Sequence, residues 1–90
     1  MTNEEFFQIL EKGITEVQIE SMLGSKKNYN LTLHPRRTNG EEYETRQSLR
    51  KPWKYFSAIN ADTNRWEQFR WSKVVMVNKV KIRYGIEYIS

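Results

Sequence analysis

Residues 53–71 read Trp53-Lys54-Tyr55-Phe56-Ser57-Ala58-Ile59-Asn60-Ala61-Asp62-Thr63-Asn64-Arg65-Trp66-Glu67-Gln68-Phe69-Arg70-Trp71. Two runs rich in aromatic and aliphatic residues, Trp53–Ala61 and Arg65–Trp71, flank the turn-forming triplet Asp62-Thr63-Asn64. That pattern predicts two strands joined by a tight connection. Moving upstream, Tyr29, Leu31 and Leu33 alternate with polar residues up to Pro35, and Asn39-Gly40 is the strongest short hairpin signal in the chain. It predicts a strand ending near Thr38 and another over Glu42–Leu49, interrupted by Arg50-Lys51-Pro52. Downstream, Lys73–Tyr84 is apolar on one parity (Val74, Met76, Val80, Ile82, Tyr84) and carries Lys73, Lys79, Lys81 and Arg83 on the other. Gly85 breaks this run and leaves Ile86–Ile89 for a short terminal strand.

The first 25 residues read differently. Thr2 and Glu5 stand at capping-box spacing, and Phe6, Phe7, Ile9 and Leu10 follow at helical spacing. Lys12 and Gly13 then form a stop signal. Ile14–Gly24 reads two ways. Val17 and Ile19 alternate with Glu16, Gln18 and Glu20 as in a strand. Thr15 and Gln18 repeat the capping-box spacing, with Ile19, Met22 and Leu23 on one helical face and Gly24 as the stop. The two caps favour helix. The predicted fold is therefore α+β: an N-terminal short helix or helical hairpin (residues 1–25), then a five-stranded antiparallel meander (29–90). Such a meander curls into a small barrel to avoid open edges. The 90 residues make one domain, with no linker, repeat or low-complexity stretch.

Composition removes several function classes. There is no cysteine, hence no disulfide, no thiol nucleophile and no cysteine-based zinc site. A lone histidine, His34, supports neither a histidine metal site nor a catalytic triad. The four glycines are scattered and form no phosphate loop, and Glu41, Glu42 and Glu44 read as solvated charges beside a turn. The expectation is a non-enzymatic protein with no catalytic residue, no metal and no cofactor. The longest apolar run, Val74–Val77, is four residues against the roughly 20 of a membrane helix. The acidic start Met1-Thr2-Asn3-Glu4-Glu5 is unlike a secretory signal, so a cytoplasmic protein with no membrane partner is expected.

Charge carries the functional reading. Residues 1–25 hold five acids and one base, whereas residues 46–83 hold ten bases and two acids. Cations interleaved with aromatic residues on a sheet suit single-stranded nucleic acid, whose bases stack on rings while Lys and Arg follow the phosphates. The candidate binding residues are Arg36, Arg37, Arg50, Lys54, Trp66, Arg70, Trp71, Lys73, Lys79 and Lys81. Trp66 and Trp71 fall on opposite parities, so one of them is expected outside; Trp53, Tyr55, Phe56 and Phe69 are expected in the core. The rival reading is a protein–protein inhibitor or adaptor of phage or mobile-element type. It would dock on a larger nucleic-acid-handling or defence complex, with homo-oligomerisation open. A third is a pocket for a nucleotide-like molecule at the barrel mouth.

Two stretches resemble known motifs. In Leu31–Val77, Gly40-Glu41-Glu42 with Arg46, then Trp53-Lys54-Tyr55-Phe56, then Trp66-Glu67-Gln68-Phe69-Arg70-Trp71-Ser72-Lys73-Val74-Val75 resemble the lead-in, signature strand and closing motif of the WYL domain. That resemblance implies an Sm-like five-stranded barrel. It also implies regulatory binding of nucleic acid or a nucleotide-like ligand through Arg70 and Lys73, with Tyr55 beside them. Leu10–Gly24 resembles the first two helices of a helix-turn-helix. Asn28–Pro35 is a poor third helix, so this part reads as a structural or protein-contact element.

Overall fold

The computed structural model describes residues 1–38, 46–83 and 85–89. Helix α1 spans Asn3–Lys12. It starts as the sequence requires, with the Thr2 hydroxyl accepting a hydrogen bond from the Glu5 amide at 3.2 Å. The Glu5 carboxylate accepts from the same hydroxyl, at 3.3 Å, instead of reaching back to the backbone. Glu4 and Glu5 stand at the positive end of the helix dipole and Lys12 at the negative end. Phe6 and Leu10, one turn apart, are fully buried.

Six antiparallel strands follow: β1 (Thr15–Glu20), β2 (Lys26–Thr32), β3 (Tyr55–Asn60), β4 (Arg65–Arg70), β5 (Val74–Val77) and β6 (Val80–Lys81). Their order across the sheet is β4-β3-β2-β1-β5-β6. The helical reading of Ile14–Gly24 is overturned, since this segment contains a central strand bonded to β2 on one side and β5 on the other. Thr15, Val17 and Ile19 are buried, and Met22 and Leu23, which a helix would have turned inward together, lie in the β1–β2 turn. β2 pairs with β1 along its whole length and β5 with Val17–Ile19, so much of the β1 backbone is satisfied from both flanks.

The predicted five-stranded meander is also corrected. β5 leaves β4 and pairs with β1. The sheet is not closed into a barrel; β4 and β6 are its two edges. It is nevertheless curled. Only the 3₁₀ turn Trp71–Lys73 joins β4 to β5. Four residue steps reach about 14 Å at most, whereas four strand spacings in a flat sheet need about 19 Å. The curl gathers Phe6, Leu10, Val17, Leu31, Phe56, Trp71, Val74, Val77 and Ile86 into one core.

The long strand predicted over Lys73–Tyr84 folds back on itself. Asn78 and Lys79 both have positive φ, 50° and 67°, and place Val77 opposite Val80. This is a two-residue turn of the twist that suits hairpins. The predicted hairpin at Asn39-Gly40 lies outside the described residues. So does the first half of the predicted strand Glu42–Leu49; its described part, Arg46–Leu49, is not a strand. It does a strand's work at one point. β2 pairs β3 only at Leu31–Asn60 and Thr32–Ile59. Farther along, the Gln47 side chain takes over: its Oε1 accepts from the Ser57 amide (2.7 Å) and its Nε2 donates to the Ser57 carbonyl (2.8 Å). Residues 86–89 form no strand. A single parallel bridge, Thr2–Glu87, ties them to the start of the chain, and the Asn3 side chain bonds both backbone groups of Ile89.

Two substitutions test this backbone. Lys79→Gly relieves a left-handed conformation and should stabilise the domain by about 1 kcal/mol. Gly85→Ala should destabilise it by more than that, because φ is +72° and the new Cβ would lie 2.6 Å from the Trp71 carbonyl oxygen. In a domain of this size each kcal/mol moves the thermal midpoint by roughly 4–8 °C, so calorimetry should show shifts of opposite sign.

Candidate nucleic-acid interface

The register of β3 and β4 sorts their side chains onto two faces. Phe56, Ala58 and Asn60 share one face with Phe69, Glu67 and Arg65; Tyr55, Ser57 and Ile59 share the other with Arg70, Gln68 and Trp66. The first face carries Phe56, Ala58 and Phe69 to the helix-covered core. The second gathers cations on rings. Lys54 Nζ lies 5.5 Å and Arg70 Cζ 5.6 Å from the centre of the Tyr55 ring. Arg46 Cζ lies 5.8 Å from the centre of the Trp66 ring. Within such distances a cation is attracted by the ring face and held in place.

Next to Tyr55, the chain makes a tight turn at residues 51–54. The amides of Lys54 and Tyr55 both donate to the Lys51 carbonyl, at 3.0 and 3.1 Å. This turn holds Trp53 outward, 60% exposed, beside the exposed Arg50 and Lys51. Leu49, four residues earlier, is 86% exposed. An indole presented on a braced turn among cations can stack on a planar base while the cations meet phosphate oxygens.

The ten predicted residues do not form one surface. Lys54 and Arg70 are brought together over Tyr55. Trp66 is half-buried under Arg46, and Arg50 is exposed on the neighbouring segment. Arg36 and Arg37 are exposed on the turn that follows β2, and Lys73 is half-buried in the 3₁₀ turn. Lys79 and Lys81 belong to the other edge of the sheet, in the β5–β6 turn and on β6. There Lys81 and Arg83 line a groove with Lys26, Gln18, Met76 and Ile82. The row of Lys79, Lys81 and Arg83 on one strand face is therefore replaced by a hairpin, because the turn at Asn78-Lys79 ends the strand that would have carried them.

Trp71 is removed from the stacking set. It is 3% exposed, and its Nε1 donates to the Pro52 carbonyl at 2.8 Å. Trp53 replaces it, having been expected inside. The signal was present in Arg50-Lys51-Pro52: a proline just before Trp53 favours a turn over the start of a strand. Lys26 was missed because its groove neighbours come from β1, β5 and β6, and Arg46, noted in the WYL-like lead-in, was left out of the candidate set because its ring partner Trp66 lies on β4.

Among the described residues no group of three or more His, Asp or Glu side chains could hold a metal ion, and no helix is long and apolar enough to cross a membrane. No family model, curated protein or solved structure matches the chain.

Trp71 and Trp53 should therefore behave oppositely on substitution. Trp71→Phe leaves the Pro52 carbonyl without its donor and should cost about 1–3 kcal/mol. Trp53→Ala removes an exposed ring and should change stability by no more than about 0.5 kcal/mol. Chemical denaturation of the two variants distinguishes scaffold from surface.

Proposed function

We propose that this domain is a small non-enzymatic regulatory module that binds nucleic acid, single strands in preference. The binding face is the Tyr55–Arg70 end of β3 and β4 with the adjoining segment Leu49–Lys54. The observation that carries this reading is Tyr55 bearing both Lys54 and Arg70 next to an outward-held Trp53. Arg50, Lys51, Lys54 and Arg70 neutralise phosphates, and Trp53 stacks on a base. Stacking on a ring and contact with phosphates carry no base-edge readout, so binding tolerates sequence.

The finer architecture we infer is an opened relative of the Sm-like barrel, which accords with the WYL-like segments. The short 3₁₀ link from β4 and the return of β5 to β1 support this. Lys73, on that link, and Arg36 and Arg37, on the turn after β2, add positive charge to the domain outside the Tyr55 cluster. Action in the cytoplasm follows from the same reading. The adaptor reading rests on the exposed acids Glu4, Glu5 and Glu16, which would suit a basic protein surface.

Fluorescence anisotropy with labelled single-stranded and duplex oligonucleotides, from low to physiological salt, tests the proposal. Four phosphate contacts on a single strand predict a slope of log K against log salt near about −3. Lys54→Gln with Arg70→Gln should flatten it by roughly 1.4, at about 0.7 per contact. Trp53→Ala should weaken binding by about 1–3 kcal/mol with the slope unchanged. Absence of binding at low salt, or binding indifferent to all three substitutions, would retire this face and favour the adaptor.

A further inference from the structure

The β1–β2 turn shows two large apolar side chains to solvent, Met22 at 76% and Leu23 at 97% exposure. It is not a loose loop. The Ser21 amide donates to the Ser25 carbonyl (2.7 Å), the Gly24 amide to the Ser21 carbonyl (3.0 Å) and the Ser25 amide to the Ser21 hydroxyl (3.2 Å), and the two serine hydroxyls bond each other (2.7 Å). Gly24 takes the positive φ, 86°, that such closure needs. The tip is thus a preformed apolar knob.

Elsewhere the same chain has an open cavity of about 140 Å³ walled by Phe7, Pro52, Tyr55, Trp71 and Tyr88, with Asn3 and Gln47. That volume is below the range of about 300–1,000 Å³ typical of small-molecule sites. Both amides are already engaged, Asn3 with the backbone of Ile89 and Gln47 with that of Ser57. What remains is aromatic surface, which suits an aliphatic or thioether side chain.

Knob and cavity lie at opposite ends of the sheet. Leu31 of β2 pairs with Asn60 at the far end of β3, so Lys26 and the tip overhang that end, while Tyr55 begins β3 at the other. The tip cannot reach its own cavity. We propose that Leu23, with Met22, of one copy seats in the Phe7–Tyr55–Trp71–Tyr88 cavity of a second copy, giving a head-to-tail contact. Charges complement across it: Glu20 at the foot of the tip meets Lys54 and Arg70, which stand over the Tyr55 wall of the cavity. The contact is heterologous, so each pair leaves a free knob and a free cavity. It is also small, below about 1,200 Å² in total, which makes it weak and concentration-dependent. It would occupy Tyr55, Lys54 and Arg70, which the proposed nucleic-acid face also uses, so association is measured in the absence of nucleic acid.

Sedimentation equilibrium from micromolar to millimolar protein, with ¹H–¹⁵N spectra over the same series, tests it. Wild type should gain mass with concentration while the Trp71 indole and the Asn3 and Gln47 side-chain amides shift. Leu23→Ser, which alters only an exposed side chain, should weaken association at least about tenfold and abolish those shifts. A monomer throughout, association that survives Leu23→Ser, or association without shifts at the cavity would each overturn the proposal. A monomer that pellets with phosphatidylglycerol vesicles only when Leu23 is present would overturn it too, by giving the tip to a lipid surface.

Discussion

Everything in this fold depends on how the chain passes from β4 to β5. The passage is three residues long, and its first residue, Trp71, is held at each of its hydrogen-bonding groups. Its amide donates to the Lys54 carbonyl (3.1 Å), its indole to the Pro52 carbonyl (2.8 Å), and its carbonyl accepts from Ile86 (3.2 Å). Its ring lies 4.5 Å from Phe56, 5.4 Å from Phe7 and 5.8 Å from Phe6 between centres. Rings tilted or edge-on at such distances gain both buried area and quadrupole attraction. The short link curls the sheet, and the indole closes the interior that the curl creates.

The outer surface follows from this hub. By holding Pro52 and Lys54, Trp71 sets the turn on which Trp53 stands and from which Lys54 reaches Tyr55. Tyr55 and Arg70 are opposite partners in the β3–β4 ladder, so the pair of cations over one ring is a product of strand register. The scaffold and the candidate interface therefore share one buried residue. Among the described residues no buried side-chain polar atom lacks a hydrogen-bond partner. Asn3, Gln47, Thr32 and Asn60 achieve this by bonding to chain segments far away in sequence or to the neighbouring strand. A small domain without disulfides is thus tied together by side-chain amides and hydroxyls that replace missing strand neighbours.

Where local signals agreed with one another, they were legible. The capped helix α1, the β3–β4 hairpin around Asp62-Thr63-Asn64 and the start of β5 were read nearly to their ends. Where two local signals competed, pattern alone chose poorly. Thr15 and Gln18 imitate a helix cap, and Ile14–Gly24 has residues for either state. Pairing with β2 and β5, remote in the chain, decided for strand. Asn78-Lys79 lacks the glycine that usually announces a tight hairpin, so the fold-back of β5 onto β6 was invisible.

The sequence by itself determined that the chain has an α+β core without cysteine and an excess of cations after residue 26. It also determined that aromatic residues alternate with those cations, because composition and period are properties of neighbours along the chain. Only the tertiary structure decided which ring is buried and which is offered. Trp53, Trp66 and Trp71 are chemically alike and all sit near a turn or a strand end. Their fates differ because burial depends on what arrives from elsewhere: Pro52 and three phenylalanines for Trp71, Arg46 for Trp66, and no covering segment among the described residues for most of Trp53.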